Sequence, residues 1–123
     1  MEIVEYPGEG YRRMIDGPKW TVASLNYAPR FDEANFEKIE RHLLTDETFV
    51  LLCGEATLVV GEACERVPME PVKAYNLKAG EWHHIFVKPG TRVLVIENSD
   101  TSKANTEYRD IRRTDAGTVP HLV

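Results

Sequence analysis

The chain has no long apolar run. Its longest stretch of large apolar residues, Phe49–Cys53 (FVLLC), has the length of a strand, whereas a membrane-spanning helix needs about 20 such residues. The first residues, Met1–Glu5, are acidic and lack the basic and apolar regions of a signal peptide. We therefore expect a cytoplasmic protein with no membrane partner.

Cysteine and clustered positive charge are also scarce. If Gly54 and Glu55 form a turn, Cys53 and Cys64 lie too far apart along the two strands for a disulfide, so we expect two reduced thiols. Lys and Arg together number 15 against 20 Asp and Glu, which gives a net charge of -5. Because phosphate binding requires clustered Lys and Arg, this balance argues against a nucleic-acid partner.

What the chain does contain is a series of short apolar strands. Its 123 residues are typical of one domain, predicted to span residues 1–123, and an apolar content of 42% is enough to fill a core. Strands are predicted at Trp20–Tyr27, Ile39–Leu44, Glu47–Cys53, Ala56–Val60, Lys73–Leu77, Trp82–Val87 and Arg92–Glu97. Short strands separated by regular turn signals are typical of an all-β sandwich or barrel.

The remaining segments have weaker patterns. Residues 1–18 contain five Pro and Gly residues and are predicted to form an extended N-terminal arm. Residues 61–71 are polar and contain two prolines, which predicts a loop. Asp32 is placed to cap a single helical turn. Residues 101–113 are predicted to form either a short helix or an irregular segment over the sheet.

Four side chains have the chemistry of metal ligands. Glu40 and His42 are two residues apart, so they share one face of a strand. Glu47 follows the turn at Thr45-Asp46, and His83 opens a later strand. Taken singly, each has a simpler interpretation: Glu40 as a surface glutamate, Glu47 as a turn residue, and His42 and His83 as hydrogen-bonded core histidines. One barrel can bring all four together, and imidazole with carboxylate suits iron, manganese, nickel, cobalt or zinc.

The spacing of these residues resembles two motifs of the cupin family. The first motif has two His separated by one residue, then Glu, then Gly. Here His42, Glu47 and Gly54 match its second His, its Glu and its Gly, and Glu40 occupies the position of the first His. The second motif is Pro-x-Gly-x-x-His-x-x-x-Asn. Gly80 and His83 match it, whereas Lys78 and Val87 replace the Pro and the Asn.

This resemblance implies an RmlC-like jelly-roll barrel, the double-stranded β-helix of small single-domain cupins. It also implies the metal ligands His42, Glu47 and His83, with Glu40 as a fourth. The cofactor would be a divalent ion, Mn, Fe, Zn or Ni, and the additional carboxylate favours the harder ions over copper. His84 remains an alternative to His83, although in a regular strand it faces the opposite side.

Strand parity places mainly apolar residues beside the ligands, namely Phe49, Leu51, Leu58 and Ile85. Phe49 is the member of this set predicted to contact a substrate, and the others are predicted to be barrel core. Tyr27 and Arg30, near the end of the first strand, are the other substrate-binding candidates. Arg30 is the best candidate for holding an acid, because its guanidinium matches a carboxylate.

The resemblance implies a metal-dependent enzyme that isomerises or lyses a small polar metabolite, such as a sugar or a hydroxy or keto acid. The alternatives are a non-haem iron dioxygenase and a non-catalytic ligand-binding barrel, because a fold does not select a reaction. Cupins commonly pair, so a homodimer is expected. Apolar residues in the N-terminal arm favour it, and so does the prediction that Val93 and Val95 face away from the ligands.

Overall fold

The structure is a computed structural model that describes residues 1–113 and 120–122. Within these residues the chain is built of strands and three short 3₁₀ turns, which confirms the prediction of an all-β protein. No helix in the described part of the chain is long and apolar enough to cross a membrane. The strands are β1 (Tyr11–Asp16), β2 (Trp20–Asn26), β3 (Lys38–His42), β4 (Glu47–Cys53), β5 (Ala56–Val60), β6 (Glu65–Pro68), β7 (Ala74–Leu77), β8 (His83–Val87), β9 (Arg92–Asn98), β10 (Thr106–Arg113) and β11 (Pro120–Leu122).

The strands form two antiparallel sheets. The first sheet has the order β1-β2-β9-β4-β7, and the second has the order β11-β10-β3-β8-β5-β6. Several successive strands, such as β3 and β4, belong to different sheets, so the chain crosses between the layers. Residues close together in sequence can therefore face each other across the interior.

The core lies between the sheets and is filled by alternate residues of each strand. Phe49, Leu51, Leu58 and Ile85 are all buried there, as the parity of their strands predicted. A smaller apolar cluster covers the other face of the second sheet, with Phe36, Ile39, Val59, Cys64, Trp82 and Phe86 as its buried members. The second sheet is therefore packed on both faces, which holds its strands firmly in place.

The turn between β4 and β5 depends on glycine. Gly54 has a φ of 87°, and a Cβ at this position would lie 2.6 Å from the Cα of Thr91. The Thr91 hydroxyl accepts from the Glu55 N–H and donates to the Glu55 carbonyl. A larger residue at Gly54 would clash with the backbone at Thr91 and would be strained at this positive φ. It would therefore disturb the two hydrogen bonds between Thr91 and Glu55.

Three segments contain strands where the sequence predicted none. β1 lies within the predicted arm and β6 within the predicted loop. Residues 101–113, predicted as a short helix or an irregular segment, contain the 3₁₀ turn Lys103–Asn105 followed by β10. β1 and β6 lie at sheet edges, where a strand is paired on one side only and the alternation of apolar and polar residues is weak. Asp32 does cap a single turn, Glu33–Asn35, as predicted. Cys53 and Cys64 are both free.

Candidate metal centre

The four predicted ligands converge between the two sheets. Glu40 and His42 lie on β3, and His83 lies on β8 directly opposite Glu40 in the strand register. Glu47 approaches from β4 in the other sheet. Because β3 and β4 are joined by a short turn, His42 and Glu47 come from opposite walls of the barrel and still meet. Their role as metal ligands remains a prediction.

Glu47 lies between the two imidazoles. Its Oε2 is 3.1 Å from His42 Nε2, and its Oε1 is 3.2 Å from His83 Nε2. Glu40 lies farther away, with its Oε1 3.9 Å from His42 Nε2 and 3.8 Å from His83 Nε2. The Glu40 side chain is also 34% exposed against 8% for Glu47. Glu47 is thus the enclosed carboxylate of the group, and Glu40 lies at its open side.

Hydrogen bonds at the outer ring nitrogens determine the tautomers of both histidines. The Thr106 hydroxyl donates to the Ser102 carbonyl, so it accepts from His42 Nδ1, which must carry the proton. His83 Nδ1 lies 3.0 Å from the Glu81 carbonyl, which only accepts, so this nitrogen is protonated as well. When neutral, both rings therefore direct an Nε2 lone pair at Glu47.

Lone pairs that face a carboxylate require a positive charge between them. Either a proton or a metal ion can supply it. Burial alone would lower the pKa of His83, but the adjacent Glu47 carboxylate raises it. Burial would likewise raise the pKa of Glu47, but the two neighbouring imidazoles lower it. His42 Nε2 forms a hydrogen bond with Glu47, whereas the buried His83 Nε2 lies 3.2 Å from Glu47 Oε1 without forming one. This donor set, with Glu40, His42 and His83 atoms within 4.8 Å of one another, fits a divalent cation.

A fifth polar residue, Glu97, reaches the same place. It lies on β9 directly opposite Glu47 in the register of the first sheet. Its Oε1 accepts from the Tyr11 hydroxyl at 2.8 Å, and its Oε2 is buried without a hydrogen-bond partner. Burial and the neighbouring Glu47 raise the pKa of Glu97 to about 8. Because two adjacent buried carboxylates repel each other, the pair retains a proton to a higher pH than an isolated glutamate does.

Glu97 was not among the predicted ligands, because the faces of β9 were predicted wrongly. Val93 and Val95 were predicted to face away from the ligands, but both are buried in the core between the sheets, on the same face as Glu97. Leu94 and Ile96, which alternate with them along the strand, are also apolar, so periodicity could not distinguish the two faces. The one signal in the sequence that could have identified Glu97 was its position as a charged residue at the end of an apolar strand.

The four predicted ligands, Glu40, His42, Glu47 and His83, line a cavity of about 370 Å³. Phe49 and Arg30, two of the predicted substrate-binding residues, line it, and the Arg30 guanidinium lies 4.4 Å from the centre of the Phe31 ring. Tyr27 does not line this cavity; its hydroxyl lies 3.5 Å from Asp32 Oδ2, and the residue borders a different pocket beside Pro7 and Thr91. Other lining residues that sequence analysis did not identify are Tyr11, Arg13, Thr106 and Tyr108.

His84 differs from His83 in its surroundings. Its ring stacks on Phe36 at 4.8 Å, in contact with the outer apolar cluster. Burial lowers the pKa of His84 to about 4, so it is neutral at physiological pH. The structure therefore brings His83, and not His84, to Glu47.

Solved structures share this architecture. The chain superposes on Pac13, a nucleoside dehydratase from Streptomyces, with a TM-score of 0.63 and 12% identity over 85% of this chain and 82% of that one. An RmlC-like cupin with a double-stranded β-helix fold from Methanocaldococcus jannaschii matches with a TM-score of 0.61 and 8% identity, over 80% and 90% of the two chains. The chain has the cupin fold.

The polyketide cyclase RemF from Streptomyces resistomycificus is also similar to this chain, with a TM-score of 0.61 and 17% identity over 91% of this chain and 82% of that one. At these identities the likeness establishes the cupin fold and not the activity. No family model matches the sequence, and no curated protein matches it significantly. Within the cupin fold, the Gly80 N–H donates to the His42 carbonyl at 2.7 Å, which joins the two motif segments.

Proposed function

We propose that this protein is a metal-dependent enzyme that isomerises or lyses a small polar metabolite. His42, Glu47 and His83 would hold the metal ion, with Glu40 as the fourth ligand. The observation that carries the proposal is the pair of buried imidazoles whose Nε2 atoms both face Glu47, with each Nδ1 hydrogen-bonded to an acceptor. Such outer hydrogen bonds are typical of metal-binding histidines.

A divalent Mn, Fe, Zn or Ni ion bound here would polarise an oxygen atom of the substrate and so acidify the adjacent C–H or O–H group. Glu40 is suited to accept that proton. Burial raises its pKa above the ordinary range, and it lies at the open side of the ligand group. Its Oε1 faces both histidines, and its carboxyl group borders the cavity beside Tyr108, where a substrate proton could reach it.

The cavity favours an organic acid as substrate. Arg30 lies at its wall, and its positive charge acts on Glu40 at the same cavity. Arg30 is therefore placed to attract the carboxylate of a substrate, while Phe49 and Ile85 supply an apolar surface for the carbon skeleton. Pac13, whose structure was solved with uridine, and RemF indicate that this architecture accommodates small organic molecules.

Metal content by mass spectrometry, on protein purified without a metal-affinity tag, tests the proposal. We expect about one metal ion per chain in the wild type and almost none in His42→Ala. The matched control is His84→Ala, which removes a histidine that stacks on Phe36 and should leave the metal content unchanged. Absence of metal in the wild type, even after reconstitution with Mn, Fe, Ni and Zn, would contradict the proposal and favour a non-catalytic binding barrel. If iron is the only metal bound and the protein consumes oxygen, the result would favour the non-haem iron dioxygenase.

We also propose that the protein is a homodimer. Val93 and Val95 no longer support this, because they are buried in the core. The outer face of the first sheet supports it instead, since Trp20, Leu52 and Ile96 are exposed large apolar residues there. A monomeric mass in solution at micromolar concentration would contradict the dimer.

A further inference from the structure

We infer that Glu97 is a direct ligand of the cation, through the carboxylate oxygen that Tyr11 leaves free. This inference rests on the proposed metal site and adds a residue to it from the opposite sheet. The site would then combine carboxylates from Glu40, Glu47 and Glu97 with the imidazoles of His42 and His83.

The first observation is an unused buried oxygen. The Glu97 residue is 7% exposed, and its Oε2 has no hydrogen-bond partner. Its neighbour is the Glu47 carboxylate, which has no proton to donate, so either a shared proton or a cation must lie between the two groups. A cation in the cavity would take the place of that proton.

The second observation is the position of that carboxylate. Glu97 pairs with Glu47 across β4 and β9, so both side chains project from the first sheet towards His42. Ligand atoms of His42, Glu47 and Glu97 lie within 4.8 Å of one another, as do those of Glu40, His42 and His83. The two triads share His42, so a single ion beside His42 is within reach of both.

The third observation is that β1 holds Glu97 in place. The Tyr11 hydroxyl donates to Glu97 Oε1, and Arg13 Nη2 lies 3.8 Å from the same oxygen. Arg13 is itself held by the Thr101 carbonyl at 3.0 Å. With Oε1 engaged in this way, Oε2 remains available to the cavity in a fixed orientation, as metal-binding carboxylates require.

A third carboxylate has a consequence for metal choice. Oxygen ligands suit Mn²⁺ better than they suit the later transition metals, whose preference for imidazole is stronger. Removing Glu97 should therefore weaken the binding of Mn²⁺ more than that of Zn²⁺. If Glu97 merely supported the fold, its removal would weaken the binding of Mn²⁺ and of Zn²⁺ alike.

The experiment is a titration of the metal-free full chain with MnCl₂ and with ZnCl₂, for the wild type, Glu97→Gln and Tyr11→Phe. Visible absorption of the Co²⁺-loaded proteins reports the coordination of the ion. Glu107→Gln is the matched control, because it makes the same change at an exposed glutamate that pairs with Arg41. Far-UV circular dichroism establishes that each variant is folded.

We expect Glu97→Gln to weaken Mn²⁺ binding at least tenfold, since even the loss of a partner of a ligand costs about 10- to 100-fold. The loss for Zn²⁺ should be smaller, the Co²⁺ spectrum should change, and Tyr11→Phe should have a weaker effect. If Glu97→Gln binds Mn²⁺ as tightly as the wild type, the inference is overturned and the proposed metal site stands. An unchanged Co²⁺ spectrum with equal losses in Glu97→Gln and Tyr11→Phe would also overturn it. If the wild type binds neither ion, the proposed function itself fails.

Discussion

The two ends of the barrel interior differ in chemistry although the same strands build them. Along β4 and β9 the inward-facing residues change from acidic to apolar over three positions. In order, these residues are Glu47, Phe49 and Leu51 on β4, and Glu97, Val95 and Val93 opposite them on β9. One end of each strand therefore provides the core, and the other end provides the candidate site.

The two ends contribute to stability with opposite sign. Leu51 and Leu58, each 1% exposed, bury apolar surface worth about 1.5–3 kcal/mol per side chain. Glu97, in contrast, loses hydration on burial beside Glu47, which raises its pKa to about 8, so its contribution to stability falls as the pH rises. The comparison indicates that the apolar end maintains the fold, while the acidic end lowers stability at alkaline pH unless a cation occupies it, as we propose.

The largest effect is expected at the apolar end. Leu51→Ala should lower the free energy of unfolding by about 2–5 kcal/mol, because it leaves a cavity in a packed core. Urea denaturation measures this change. The control is Leu52→Ala on the outer face, where the side chain is 49% exposed and we expect a small loss. Equal losses for both variants would show that the interior is not the source of stability.

A smaller effect is expected for a residue that orients a ligand. Thr106→Val removes the acceptor of the His42 Nδ1 proton, so the ring loses its fixed tautomer. We expect metal affinity to fall by about 10- to 100-fold, or about 1.4–2.8 kcal/mol, measured by Mn²⁺ titration.

The control for that change is Thr48→Val, which removes a hydroxyl bonded to Asn76 on the outer face of the first sheet. It should leave metal affinity unchanged. Unchanged affinity in Thr106→Val would mean that the hydrogen bond at Nδ1 does not orient His42 for metal.

The smallest effect should be a gain in stability at the acidic end. The pKa of Glu97 rises from 4.5 to about 8 on folding, so the folded state binds more protons than the unfolded state in this interval. The contribution of Glu97 to stability is therefore lost as the pH rises from about 5 to 8. Glutamine carries no charge to repel Glu47, so metal-free Glu97→Gln should exceed the wild type at pH 8 by about 1 kcal/mol.

Thermal unfolding in EDTA at pH 5 and pH 8 measures that difference, with the exposed Glu65→Gln as control. A variant less stable than the wild type at both pH values would mean that the acidic end does not lower stability at alkaline pH. The same substitution, Glu97→Gln, is expected to weaken Mn²⁺ binding. A variant that is more stable without metal but binds Mn²⁺ less tightly would indicate that Glu97 serves cation binding at the expense of stability.

Much of the fold was predictable from local pattern. The apolar runs of β4, β5 and β8, bounded by turn residues, identified those strands, and parity with the predicted ligands identified the burial of Phe49, Leu58 and Ile85. The spacing of His42, Glu47 and His83 identified the group that the structure brings together. β1 and the inward face of β9 were not predictable, because β1 is an edge strand and β9 is apolar on both faces.

The sequence by itself determined most of the inner strands, the turns between them and the face of β3 that carries Glu40 and His42. These features follow from a two-residue period and from turn residues a few positions apart. Only the tertiary structure decided that Glu97 faces Glu47 and that Tyr11 holds it. These contacts join residues 50 and 86 positions apart in the chain. They depend on the register between strands, which is set by the packing of whole sheets and not by any local pattern.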